Sequence, residues 1–225
     1  MINRAGVAPV QFMRFVLPWW SLFLCAPPFF AGCALTPPTH KNNVVRTIFT
    51  EPVAGTVDTK SANFLLSGRV AAKGGRENFS GGVQWRHAES EDEILLLSPL
   101  GQALAQIQLN PGGAYLITSD QQNYSAADVE GLTEQVLGWH LPLMGLQYWV
   151  QGINSPITAS EIDLDIEGRV VGIRQDGWSI DYSSYFPVSA VHIAQTQAAR
   201  PRLLLLKRGD LQIKLIIDTW NSDGN

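Results

Sequence analysis

Charge is scarce in this chain. Asp, Glu, Lys and Arg make up 16% of its 225 residues, the formal net charge is −4, and lysine and arginine never cluster into a run. A nucleic-acid-binding surface needs such a basic footprint, so that class is set aside. Cysteine is scarcer still, with only Cys25 and Cys33. The four histidines, His40, His87, His140 and His192, are scattered and never fall at metal-ligand spacing. No Gly-x-Ser-x-Gly elbow, phosphate-binding loop or dinucleotide fingerprint occurs. No metal, no cofactor and no covalent catalysis are therefore expected. Glu89, Glu91, Asp92 and Glu93 read as solvated acids of a hairpin turn. Asp163 and Asp165 share a strand face, but a catalytic role is not expected for them either.

Hydrophobic residues are plentiful, at 45%. The first thirty-odd residues spend them on targeting rather than on a core. Arg4 and Arg14 are the only charged residues before Lys41, and an apolar stretch from Phe15 to Phe30 follows them. A positive start, an apolar centre and small residues after it make a secretory signal peptide. Pro18, Pro27 and Pro28 argue against a continuous membrane-spanning helix there, because proline removes helix hydrogen bonds.

The small residues end in Phe30-Ala31-Gly32-Cys33, which resembles a bacterial lipobox with Phe30 in place of the usual aliphatic residue. Residues 1–32 are expected to be removed, leaving Cys33 as an acylated N-terminus. Cleavage there also leaves a single cysteine, which can form no internal disulfide in an exported protein. An ordinary signal peptide with an incidental cysteine is the alternative. Removing Arg4 and Arg14 from the 16 basic residues leaves 14 against 20 acidic ones, a net charge of −6. Residues 33–61, proline-marked and polar, are predicted to be a flexible tether whose ends average about 30 Å apart. Residue 34 is Ala, not the Asp that resembles an inner-membrane retention signal, so the expected address is the periplasmic face of the outer membrane of a Gram-negative bacterium.

From about residue 62 to 221 the pattern is short strands between turns. Phe64, Leu66, Val70 and Ala72 alternate with polar residues, and Val83 and Trp85 share one face of a second strand. Asp176-Gly177, between Ile173 and the alternating Trp178, Ile180 and Tyr182, signals a tight hairpin whose two central residues take positive φ. Leu211, Ile213, Leu215 and Ile217 share a face of the last strand. Two helices interrupt the strands. One starts at Ser125 or Asp128 and carries Val129, Leu132, Val136 and Leu137 at helical spacing; the other spans Met144 to Val150. Ten or eleven strands in this order predict a large, curved antiparallel sheet, closed or nearly closed, with room for a ligand cavity unless the helices plug it. Pro99-Leu100-Gly101 puts a leucine at a hairpin tip, where polar residues are the norm. Leu100 either folds back over the core or is exposed to touch a membrane or ligand.

The series Gly68-Arg69-Val70-Ala71, Gly82-Val83-Gln84-Trp85, Leu95 to Gly101, Tyr124 to Asp128, Trp139-His140-Leu141-Pro142-Leu143, Leu146 to Gly152 and Ile213-Lys214-Leu215 before Trp220 resembles the LolB family. The resemblance runs in order through nearly all of residues 62–220. It implies a mostly β fold: an incomplete, strongly curved antiparallel barrel with helices over an apolar cavity. It implies an outer-membrane-anchored receptor that accepts triacylated lipoproteins from a periplasmic, LolA-like carrier. Their acyl chains would then be inserted among the phospholipids of the outer membrane's inner leaflet. The tip residues Pro99, Leu100 and Gly101 take the membrane-insertion role. Phe64, Leu66, Val70, Trp85, Ile107, Leu109, Trp149, Trp178, Ile180 and Ile213 are candidates for the acyl-chain cavity, each equally at home in a dry core. A monomer is expected. The family's helix before the first strand finds poor material in Thr47–Lys60, with Pro52, Gly55 and several β-branched residues. The competing reading is a structural accessory lipoprotein of an outer-membrane assembly, which a filled core and a tip without an exposed hydrophobe would favour.

Overall fold

The computed structural model describes residues 44–52, 63–187 and 199–221. The expected signal peptide, Cys33 and most of the expected tether lie outside them. The described chain forms twelve strands: β1 (Arg46–Thr50), β2 (Phe64–Lys73), β3 (Phe79–Ala88), β4 (Glu91–Leu97), β5 (Ala103–Asn110), β6 (Gly113–Thr118), β7 (Asn123–Ala126), β8 (Ser160–Leu164), β9 (Val170–Gln175), β10 (Trp178–Tyr185), β11 (Pro201–Arg208) and β12 (Leu211–Asn221). Helices α1 (Val129–Leu137) and α2 (Leu143–Trp149) fall between β7 and β8.

All twelve strands join one sheet in the order β1-β8-β9-β10-β11-β12-β2-β3-β4-β5-β6-β7. Each described pairing is antiparallel, and β1 and β7 are left as free edges, so the barrel is incomplete. Alternation dictates which side is covered. In β4, Asp92, Ile94 and Leu96 are buried while Glu93, Leu95 and Leu97 are not, as the two-residue period of a strand requires. Register shifts interrupt β4–β5, β8–β9, β10–β11 and β2–β12. Extra residues of this kind bend and twist a strand, which curves a wide sheet toward its own concave face.

The strand count exceeds the sequence expectation of ten or eleven. Part of the excess is β1, which lies within the stretch predicted as free tether. Arg46 to Thr50 pair with Leu164 to Ser160. The Thr47 hydroxyl donates to Asp163 at 2.7 Å, and the Thr50 and Ser160 hydroxyls lie 2.6 Å apart. β7 is the other addition: Ser125 belongs to it and does not start the helix. Asp128 does, its carboxylate accepting from the Gly131 N–H at 2.7 Å. Asp176 and Gly177 both take positive φ, 53° and 76°, in the tight β9–β10 turn.

Candidate functional site

The two helices cover the concave face of the sheet. Between them lies a cavity of about 30 Å³, walled by Leu66, Val70, Val83, Trp85, Ile94, Leu96, Leu206, Ile213 and Leu215 of the sheet. Trp139, Leu141 and Leu146 close it from the helical side. No charged side chain is among these twelve. A cavity of that size holds about one water-sized group, and a wall without polar partners keeps water out. The arrangement can hold an apolar group and offers nothing for proton transfer or nucleophilic attack.

Four of the ten candidate cavity residues, Leu66, Val70, Trp85 and Ile213, line this space. Phe64, Ile107, Trp149, Trp178 and Ile180 are buried in the surrounding core without contributing to the wall. Leu109 is only partly buried against that core. Val83, Ile94, Leu96, Leu206 and Leu215 of the sheet, Leu146 of α2, and Trp139 and Leu141 of the segment between the helices line it without having been candidates, because local periodicity reports a buried face but not what the face closes.

The helical cover is held at both ends. Thr133, fully buried, donates to the Val129 carbonyl and accepts from the Leu141 N–H at 3.0 Å, tying α1 to the segment that follows it. At the C-terminus of α1, Gly138 adopts a left-handed conformation (φ 81°). The Arg76 guanidinium, from the β2–β3 turn, donates to the carbonyls of Glu134 and Gln135. The Arg76 N–H adds a bond of 2.8 Å to the Gly138 carbonyl. Carbonyls at a helix C-terminus lack intrahelical donors and carry partial negative charge, so a guanidinium is well matched to them. The close approach depends on Gly75: a Cβ there would sit 2.4 Å from the Gly138 oxygen. On α2, the Trp149 indole donates to the Gln175 side chain at 2.9 Å, and the Tyr182 hydroxyl donates to the Trp149 carbonyl at 2.8 Å. Burial pushes the Tyr182 hydroxyl well above its ordinary pKa, so it stays a donor.

The acidic hairpin corrects its sequence reading. Asp92 is buried, not solvated. Its Oδ1 accepts from the Trp85 indole at 2.7 Å and lies 2.8 Å from His87 Nδ1. His87 is likewise buried, at 4% exposure. Phe64 packs edge-on against Trp85 and tilted against His87, sealing this polar group from solvent. The cavity residue Trp85 is thus oriented by a carboxylate. Asp163 and Asp165 do not combine into a site. The Arg174 guanidinium binds Asp163 and, with the Thr47 hydroxyl, holds its carboxyl below the usual range against the opposing effect of burial. Asp165 instead organises the β8–β9 turn, accepting from the N–H groups of Glu167 and Arg169 and from the Arg169 guanidinium. Among the described residues no group of three or more His, Cys, Asp or Glu side chains could hold a metal ion, and no helix is long and apolar enough to cross a membrane.

The β4–β5 tip stands outside the core. Leu100 is 88% exposed, and its neighbours Pro99 and Gly101 are exposed as well. The turn is nonetheless well fixed. The Ser98 hydroxyl accepts from the N–H groups of Leu100 and Gln102 at 3.3 and 3.2 Å. The Ser98 carbonyl accepts from Gly101 at 2.9 Å, and Gly101 takes a φ of 82° that a side chain would resist. Leu100 is therefore displayed by a formed turn and does not fold back over the core.

Comparison with known proteins places this geometry in a family. A family model described as "Outer membrane lipoprotein LolB" matches residues 62–220. A protein of Nitrosomonas europaea named outer-membrane lipoprotein LolB is 41% identical over 192 residues, covering 85% of this chain and 87% of its own. Proteins of the same name from Thiobacillus denitrificans and Azoarcus sp. are 38% and 34% identical. The first match covers 71% of this chain and 80% of the relative, the second 89% and 93%. Among solved structures, a LolA superfamily protein of Nitrosomonas europaea superposes with a TM-score of 0.39 at 7% identity, over 73% of this chain and 88% of that one.

Proposed function

Because the chain belongs to the LolB family of outer-membrane lipoproteins, we propose that it is anchored by an acylated Cys33 in the outer membrane, faces the periplasm, and receives triacylated lipoproteins from a LolA-like carrier for insertion into the inner leaflet. The observation that carries this reading is the wholly apolar cavity between the concave face of the sheet and the helices. A sixteen-carbon acyl chain in water costs about 12 kcal/mol at roughly 0.8 kcal/mol per methylene, so it must be handed from one apolar enclosure to the next. At about 30 Å³ the enclosure is too small for an acyl chain. Uptake therefore requires Trp139, Leu141 and Leu146 to move away from the sheet. Displacing them exposes apolar surface that the incoming chains cover again, so no nucleotide is needed to drive the step, only a difference in affinity.

Leu100 supplies the second half of the cycle. Its side chain, 88% exposed on a formed turn, can enter the hydrocarbon edge of the bilayer, bringing the domain and its cargo against the membrane. Phospholipids and acyl chains are then its partners at that step. The test is photo-crosslinking from a photoreactive acyl group on a lipoprotein presented by its carrier. Adducts are expected on Leu66, Trp85 or Leu146. Adducts confined to the convex face of the sheet would overturn the assignment of the cavity.

A further inference from the structure

Strand register assigns the turns of the sheet to two opposite ends. Lys73 pairs with Gln212, Leu97 with Ala103, Lys207 with Ser179, and Gln175 with both Trp178 and Ser160. The β4–β5 tip with Leu100 therefore lies at the same end of the sheet as the segment entering β8. The β8–β9 turn with Ile166 lies at the other. The entering segment repeats the two features of the Leu100 tip. It exposes branched apolar side chains, Ile153 at 48% and Ile157 at 62%. It is also held rigidly from beneath, by Gln175, which is 3% exposed. Gln175 accepts from the Ser155 N–H at 2.9 Å and donates to the carbonyls of Ser155 and Thr158 at 2.8 and 3.0 Å. Asn154 donates to the Thr50 hydroxyl, tying the segment to the edge strand as well.

A third observation concerns charge. The chain carries no Asp, Glu, Lys or Arg from Ile94 to Ser119, nor from Gln135 to Ser160, although such residues make up 16% of it. These two stretches contain Leu100 on one side and Ile153 and Ile157 on the other, together with the exposed Met144 of α2. Surface that enters a bilayer must be free of charge, because a charge in hydrocarbon is costly; surface that meets only water has no such need. The other turns at this end carry exposed charges, Lys73, Arg76, Glu77, Asp120, Asp176 and Asp210, and exposed Glu51 follows β1 beside the second corner, which confines apolar contact to the tips of the two uncharged stretches.

We propose that Ile153 and Ile157 form a second membrane contact, so that the domain meets the bilayer on two corners and presents one end of the sheet to the lipid. The occupant is the lipid surface itself, argued from the shared end, the shared rigidity and the two uncharged stretches. This rests on Leu100 being a membrane contact. A single tip leaves the tilt of the domain on the bilayer unset; two contacts fix which end faces the acyl chains' destination.

The experiment uses the complete lipid-anchored protein, reconstituted in vesicles of phosphatidylethanolamine and phosphatidylglycerol. A dansyl amino acid replaces residue 100, 157 or 166, one at a time. Blue-shifted emission and at least twofold quenching by brominated acyl chains are expected at 100 and 157, and neither at 166. Quenching at 100 with none at 157 would remove the second contact and leave the Leu100 reading intact. No quenching at either would remove both. Shielding of 157 only after the carrier is added would reassign this corner to a protein partner. Insertion of 166 would reverse the orientation. As an independent check, Ile157→Glu should fold normally and lower lipoprotein delivery about tenfold, the scale on which one buried aliphatic side chain acts.

Discussion

Asp92 is the residue whose environment departs most from its type. It is a buried carboxylate beside an apolar cavity, satisfied by the Trp85 indole and by His87. Removing one partner of such a group leaves the others unsatisfied, which costs more than the bond itself contributes. Asp92→Ala is expected to lower the unfolding free energy by about 2–4 kcal/mol in urea titration. It should also shift the emission of Trp85, whereas a solvated turn acid would change neither. The signal for this residue was present in the sequence as parity: Asp92 precedes Ile94 and Leu96 by even steps. His87 follows Val83 and Trp85 in the same way. A cluster of adjacent acids masked it, because acids in a row read as a turn. Leu100 was legible for the opposite reason, since an apolar residue between Pro and Gly at a hairpin tip has no structural need to be there. Asp163 allows a pH test. Arg174 depresses its folded pKa, so its contribution to stability is present above the unfolded value of about 4 and is lost as pH falls through the lower folded value. Asp163→Asn is expected to flatten the acid limb of the stability profile below about pH 4 and to loosen β1, read as faster amide exchange at Arg46–Thr50.

Among the elements, α1 and its attachment bear most on the proposed opening of the cavity. The Arg76 guanidinium and backbone hold the C-terminal carbonyls of α1 to the β2–β3 turn. Arg76→Ala should cost about 1–2 kcal/mol of stability, the range of hydrogen bonds to a charged group at an exposed site. Its clearer effect is expected in dynamics: faster amide exchange in Val129–Leu137 and stronger binding of an apolar dye. Unchanged exchange there would separate Arg76 from the cover. Helix periodicity located α1 and α2 within a few residues, because Val129, Leu132 and Val136 recur on one face. The link to Arg76 was not readable, since it joins residues 58 apart in sequence through a turn that looked ordinary. The edge strand β1 escaped for a related reason. Its five residues alternate weakly, and their partner strand begins 110 residues later. Local pattern reports the face a strand covers, but not which strand lies beside it.

For the whole molecule, a curved sheet with free edges, an apolar cavity and a leucine displayed on a formed turn fit the proposed cycle of two separable steps. In that proposal uptake belongs to the concave face and its helical cover, and delivery to the end of the sheet that carries Leu100. A large curved antiparallel sheet followed from strand count and its incomplete closure under helices from the family resemblance, whereas the size of the cavity followed from neither, because packing between sheet and helices is set by side-chain shape at long range. The separation of steps is the central claim, and transfer of a radiolabelled triacylated lipoprotein tests it most directly. The cargo is followed from its purified carrier to this protein and then to liposomes, with wild type beside Leu100→Glu. Leu100 is exposed, so the substitution should change stability by no more than about 0.5 kcal/mol. The expected result is equal uptake by both proteins and delivery to liposomes by the wild type alone. Equal delivery by both, or failure of the wild type to take up cargo at all, would contradict the account.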